Sequence, residues 1–206
     1  MNSESPRLEV SIRAHLQPHL KGDGFAGSGR TFRRVLNGWI QVVNVQGSRH
    51  GGQFAINLGL HPLAVVDVLG IAPDPKKITE PSCEFRRRLA ESGVDQWWGY
   101  SDSQESMDSA VISAALAYIQ IGRPLLAKIV QPDSPFSLVS AEDFSKGPVD
   151  FLGFASPDVR TALVLARLRK AECRLDEAKA FAAYGLSHLG RATGLKPELE
   201  RLSMPT

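Results

Sequence analysis

Alternation and turn signals organise Arg30–Leu60, RTFRRVLNGWIQVVNVQGSRHGGQFAINLGL, into three predicted strands. Asn37-Gly38 supplies two residues that tolerate positive φ, so a tight turn there pairs Thr31–Leu36 with Trp39–Gln46 as a hairpin. Gly51-Gly52 marks a second turn that folds Gln53–Leu60 back onto the middle run. In that third run Phe54, Ile56, Leu58 and Leu60 alternate with Gln53, Ala55, Asn57 and Gly59, the period of a strand with one face in a core. The middle run is apolar on both parities, Trp39, Val43 and Val45 against Ile40 and Val42, which predicts a central strand covered on both faces. A fourth strand follows in Cys83–Leu89, where Cys83, Phe85 and Leu89 alternate with Glu84, Arg86 and Arg88. Arg87 falls on the apolar parity and reads as a structural anchor rather than a substrate clamp.

Helical spacing supplies the covering layer. Leu8, Ile12, Leu16 and Leu20 recur every four residues in Arg7–Leu20, behind a Ser5-Pro6 start and with Pro18 weakening the last turn. Ser101-Asp102-Ser103 offers caps for a helix running to about Ile121, with Gly122-Arg-Pro124 as its predicted stop and Leu125–Val130 as a shorter helix. Ser156-Pro157-Asp158 starts a pair, Val159–Lys170 and Leu175–Leu189, that resembles a lone tetratricopeptide-type hairpin. The path of 61–81, with its prolines and the apolar piece Leu63–Leu69, is open. The reading is an α+β fold: an antiparallel sheet of four or more strands with flanking helices. Residues 1–132 form the sheet domain, 133–155 a connecting segment, and 156–206 a C-terminal helical hairpin packed on the same domain.

Composition narrows function mainly by exclusion. With 206 residues, 43% of them hydrophobic, the chain can bury a proper core, and a formal charge of +2 gives no strong field for nucleic acid or an anionic membrane. Cys83 and Cys173 are far apart and lack a C-x-x-C companion, which points to a reducing compartment without zinc ribbon or disulfide framework. The opening MNSESPRLEV lacks the basic and apolar run of a signal peptide, and no window reads as a membrane span, so the expected location is cytoplasmic. GDGFAGSGR sits between a helix and a strand, the wrong order for a phosphate cradle, and reads as helix exit and strand start. His15 and His19 have metal spacing but Pro18 between them and no third ligand; no metal or other cofactor is expected.

Five short motifs occur in an order that resembles the bacterial domain of unknown function family 4304. They are Gly24-Phe25 with Gly29-Arg30-Thr31-Phe32-Arg33-Arg34; Val43-Asn44-Val45-Gln46-Gly47-Ser48; Phe54-Ala55-Ile56-Asn57-Leu58-Gly59; Arg86-Arg87-Arg88-Leu89; and Trp97-Trp98. The likeness covers roughly residues 8–126. It implies an α+β domain and brings no reaction, cofactor or catalytic residue.

Two sets of candidate residues emerge. Gln46 and Asn57 interrupt apolar strands side by side, so they either bond to nearby backbone or line a polar pocket with Arg33, Arg86 or Arg88. The second set is the acidic and aromatic stretch Asp95, Trp97, Trp98, Tyr100, Asp102 and Glu105. Adjacent tryptophans rarely share one core, so one ring is expected to stay available to a partner. His50 and His61 lack a spaced carboxylate partner, and no nucleophile with its base is evident, so no catalytic residue is assigned. Two function classes follow: a non-enzymatic protein-binding domain, in its most concrete form an immunity protein (antitoxin) that binds and blocks a toxin, or a small-ligand or enzymatic domain whose strand arginines hold an anionic group.

Overall fold

Asn37 at φ 46° and Gly38 at φ 78° form a two-residue turn that joins β2 (Thr31–Leu36) to β3 (Trp39–Gly47), with Leu36 opposite Trp39. A β-carbon on Gly38 would meet open space, so what a larger residue there strains is the positive-φ backbone and not the packing. Gly38→Val is therefore expected to lower stability by about 1 kcal/mol or more, read as a shift in the denaturation midpoint at constant m-value. The computed structural model describes residues 7–67, 70–92 and 95–204. Gly51 and Gly52, also at positive φ, turn the chain into β4 (Gln53–Pro62). The sheet is antiparallel in the order β1 (Ala26–Ser28), β2, β3, β4, β5 (Phe85–Arg88), with β6 (Trp98–Gly99) on the other end of β4. The three-residue β1 was not foreseen; its Ala-Gly-Ser sequence carries no apolar alternation.

β3 lies between β2 and β4 and is buried on both parities, as its sequence predicts. One face presents Phe32, Val43, Val45, Phe54, Ile56, Leu58, Leu60 and Phe85 to the helices, all within one buried cluster. Helix α1 is continuous through Leu8–Ser11, a π-helical turn at Ile12–Leu16, and Gln17–Gly22. The wide turn lies just before Pro18, whose ring cannot follow a regular turn and whose missing N–H breaks the ladder. The expected start at Ser5-Pro6 lies outside the described residues.

Helix α2 (Gln104–Ile129) runs through Gly122-Arg-Pro124 instead of stopping there. A second π-helical turn, Tyr118–Gly122, accommodates Pro124, and Gly122 lies against the Tyr118 ring, where an added β-carbon would sit 2.9 Å from it. At 26 residues α2 is long and apolar enough to cross a membrane by length and composition, contrary to the sequence reading. Here it is a core helix, with Met107, Val111, Ala114, Ala115, Tyr118, Leu126 and Ile129 buried.

A polar tie locks the two layers. The Tyr118 hydroxyl and Arg123 Nε both donate to Asp23 Oδ2 at 2.8 Å, and Arg34 donates to the Asp23 carbonyl at 2.5 Å. Arg34 Nε also donates to Gln41 Oε1 at 2.8 Å, and Gln41 Nε2 donates to the Leu126 carbonyl at 2.7 Å. Burial, then the hydrogen bond to Asp23, pushes the Tyr118 phenol well above its ordinary pKa.

Beyond α2, α3 (Pro135–Leu138) and α4 (Ala141–Lys146) lead to the hairpin α5 (Asp158–Ala171) and α6 (Leu175–Ser187), then α7 (Lys196–Ser203). The segment 133–155 is more than a connection: Phe136, Phe144, Phe151 and Phe154 are buried in the same cluster as the sheet and the hairpin. Phe136 stacks on Phe151 at 4.4 Å between centroids and meets Phe85 edge-on at 4.6 Å. Arg87 points to this side and donates to the Leu152 carbonyl, the anchor its parity suggested.

Candidate functional site

The sheet's second face is divided in two. Along one half the chain from 63 to 84 returns as an arm, seating Ile78 and Cys83 on Ile40 and Val42. The arm closes tightly because its 3-10 turn, Glu80–Ser82, rests on Gly59. Val68 and Leu69, within the expected apolar piece, lie outside the described residues.

The other half is open and polar. Antiparallel register aligns Thr31, Asn44, Asn57 and Arg88 in one row across β2, β3, β4 and β5, and Arg33, Val42, Gly59 and Arg86 in the next, the middle of which, Val42 and Gly59, lies under the arm. Both rows alternate with the helix-facing row Phe32, Val43, Leu58 and Arg87, so their side chains emerge on the opposite face. Asn57, 8% exposed, donates to Gln46 Oε1 at 2.8 Å. Arg88 Nε donates to Asn57 Oδ1 at 3.2 Å, its Nη2 to Gln46 Oε1 at 3.4 Å, and its Nη1 to Asp95 Oδ2 at 3.1 Å. Its guanidinium lies 4.7 Å from the centre of the Trp97 ring. Every nitrogen of Arg88 therefore donates within the fold, which fixes the rotamer and holds the indole beneath it.

This cluster joins residues from both candidate sets. Gln46, Asn57 and Arg88 of the polar set meet Asp95 and Trp97 of the aromatic set. Arg33 does not join them: it donates to the Ile78 and Lys77 carbonyls and clamps the arm. Arg86 is exposed, with its backbone paired to Ala155. Arg33 and Arg86 lie three strand spacings apart, roughly 14 Å, with the Glu80–Ser82 turn between them, so they do not converge on one small anion. Glu80 is buried beside Arg86 and Arg88; burial raises its carboxyl pKa against the lowering pull of both arginines.

The paired tryptophans separate by strand geometry. Trp98 lies in β6, stacks on Phe54 at 5.8 Å and is 5% exposed, so it is the ring of the pair that buries at the sheet edge and not the one left available to a partner. Trp97, one residue earlier in extended chain, points to the other face and stays half-buried against Arg88. Tyr100 packs on Phe54 at 6.3 Å and is also drawn toward the core. Asp102 and Glu105 are exposed around the start of α2, where Ser103 caps the helix by accepting from the Ser106 amide. Asp95 spends its charge on Arg88, so the segment is not the ring of free carboxylates around an indole that its composition suggests. Gly93 and Val94, at the head of that segment, lie outside the described residues.

Elsewhere, His15 Nε2 lies 3.5 Å from Asp108, which also accepts from Ser11 and Gln104. Among the described residues no three His, Cys, Asp or Glu side chains gather as metal ligands.

Fold and site together define an α+β sheet domain with one face under helices and the other half roofed by its own arm, half open around a locked arginine–tryptophan pair. A family model described as a domain of unknown function, DUF4304, matches residues 16–123, a little over half of the chain's 206, and the chain belongs to that family. No curated protein and no solved structure matches it.

Proposed function

We propose that this chain is a non-catalytic, cytoplasmic protein-binding domain, an immunity protein or antitoxin in its most concrete form, whose contact surface is the open half-face centred on Trp97. The observation that carries the reading is the indole of Trp97 held at the surface by an arginine that is itself fixed by three neighbours. An aromatic anchor with its rotamer set in advance loses little entropy on binding, and tryptophan and arginine are the residues that dominate binding energy in interfaces. Arg86, exposed on this face, makes no ion pair with a carboxylate among the described residues, so the half-face suits a partner that presents acidic side chains.

The alternative, a small anion held by strand arginines, has less support. Three of the five N–H groups of Arg88 already donate within the fold, which leaves the exposed Arg86 to hold an anion without a second guanidinium turned to it from Arg88 or Arg33.

The test uses the protein that co-purifies stoichiometrically from the native host. Trp97→Ala, confirmed folded by circular dichroism, is expected to raise its off-rate roughly thirty- to a thousandfold, the equivalent of about 2–4 kcal/mol. Arg86→Ala should mainly slow association and weaken its salt dependence. A Trp97→Ala off-rate equal to wild type would remove the half-face from the account, and saturable binding of inorganic phosphate abolished by Arg86→Ala would favour the anion reading.

A further inference from the structure

The junction between the segment 133–155 and the helical hairpin holds a second feature, built from residues apart from those around Trp97. A cavity of about 360 Å³ lies there, within the size range of small-ligand sites. Its wall is largely aromatic: Phe144 from α4, Phe151 and Phe154 from the turn before α5, and Tyr184 from α6. Phe144 and Tyr184 stand at 88° to each other with centroids 5.1 Å apart, and Phe144 lies 6.2 Å from Phe151. The three phenylalanines are buried and form the floor, while Tyr184 is half-buried and leaves part of its side chain accessible.

The fold fixes this wall. Phe151 and Phe154 pair across a two-residue turn in which Leu152, at φ 57°, and Gly153, at φ 74°, both take positive φ. Asp150 Oδ1 accepts from the Gly153 amide at 2.7 Å, Arg87 donates to the Leu152 carbonyl, and the Arg86 and Ala155 backbones bond to each other in both directions. A cavity held in this way loses little entropy when it is filled. Charge selects the guest. Asp158, exposed at the start of α5, is the one charged residue among those lining the cavity, and its carboxylate has no hydrogen bond or ion pair among the described residues. The basic residues nearest in sequence are engaged elsewhere, Lys146 with Glu142 at 2.8 Å and Arg160 with Glu84 at 2.6 Å. The positive end of α5 is offset by Asp158 itself, and an anion placed there would meet that carboxylate. Aromatic rings attract cations, so the rings and the unpaired carboxylate suit the same kind of guest.

We infer that this cavity is a binding site for a small organic ammonium ion, its apolar body against Phe144, Phe151 and Tyr184 and its charged head at Asp158. The site is separate from the half-face around Trp97 and does not depend on what binds there.

Benzylammonium, benzyl alcohol and benzoate test it directly, because they share a ring and differ in charge. The full chain, ¹⁵N-labelled, is titrated with each at neutral pH while the amides of Gly147, Ser156 and Asp158 are followed by NMR. Benzylammonium is expected to bind saturably and to shift these amides. Benzyl alcohol and benzoate should each bind about tenfold more weakly or worse, the difference that one charge-assisted contact makes. Asp158→Asn alters an exposed side chain, so the fold persists, and it should bring benzylammonium down to the affinity of benzyl alcohol while leaving the alcohol unchanged. Asp158→Glu, which keeps the charge, should retain the preference for the ammonium. Shifts that do not saturate, either neutral or anionic probe binding as tightly as benzylammonium, or an undiminished benzylammonium affinity in Asp158→Asn would overturn the site and leave the acid as a helix-end residue only.

Discussion

Arg169→Met is expected to destabilise the protein by about 3–5 kcal/mol, whereas Arg174→Met, at the head of α6 in the same cluster, should change stability by less than about 1 kcal/mol. The contrast rests on what each guanidinium touches. Arg169 is fully buried, and its Nη2 donates to the carbonyls of Phe136, Ser137 and Val139 at 2.7, 3.2 and 3.2 Å. Its Nη1 reaches Glu172 at 3.2 Å and its Nε lies 3.4 Å from Glu177, over the Phe181 ring. A buried ion pair replaced whole by apolar residues is often neutral, but that argument fails here because the main acceptors are backbone carbonyls, which no substitution removes. Methionine keeps most of the stem's volume, so the loss isolates the unsatisfied carbonyls from a cavity effect. Arg174 is 36% exposed and bonds chiefly to Glu172 and Glu177, where water can replace it. Urea denaturation compares the two variants, and amide exchange at 136–139 locates the opening. An Arg169→Met midpoint within 1 kcal/mol of wild type would mean that α3 is held to α5 by its phenylalanines alone.

Nothing in the sequence marks Arg169 for this role. It sits in the stretch Arg167-Leu168-Arg169-Lys170 near the end of α5, where a basic residue in the last turn reads as a solvated helix end. The same limit explains the other differences between reading and structure. β2, β3 and β4 were legible because local rules coincide there: two positive-φ turns, strict alternation in one strand and a doubly apolar neighbour. The burial of Gln41 was not, because its partners, Arg34 and the Leu126 carbonyl, meet it only once α2 is in place. Pro18 and Pro124 suggested breaks where the helices instead widen by one π-helical turn, a choice that tertiary burial of the flanking residues decides. The candidate site was legible residue by residue but not as an assembly. Gln46, Asn57 and Arg88 were singled out for interrupting strands, and Asp95 and Trp97 for composition; only β-register places them together. Which of the two tryptophan rings buries was left open, although period two in the extended dipeptide sends them to opposite faces.

Gly59 shows how far a single hydrogen atom determines the shape of that face, and Gly59→Ala should lower stability by about 1–3 kcal/mol while loosening the arm. An added β-carbon at position 59 would sit 2.7 Å from Cys83 Sγ, 3.1 Å from Cys83 Cβ and 3.4 Å from Glu80 Cα. The φ of Gly59 is not in the left-handed region, so the penalty is steric rather than conformational. Relief requires the turn Glu80–Ser82 to rise off the sheet, which also strains the Arg33 bonds to the Ile78 and Lys77 carbonyls. Cys83 reports that movement. In the native protein it is 2% exposed, and burial, then the charges of Glu80 and Glu84, push its thiol pKa up to about 12. The thiolate is the reactive species, so a thiol reagent should label the exposed Cys173 promptly and Cys83 only through opening of the arm. In Gly59→Ala the slow phase should accelerate by roughly the loss in local stability, about tenfold per 1.4 kcal/mol. Cys83→Ala removes the closest clash, so the double variant should lose less than the two single variants combined. Additive losses, or unchanged protection of Cys83 in Gly59→Ala, would show that the arm is held by Arg33 and Ile78 and merely passes over the glycine.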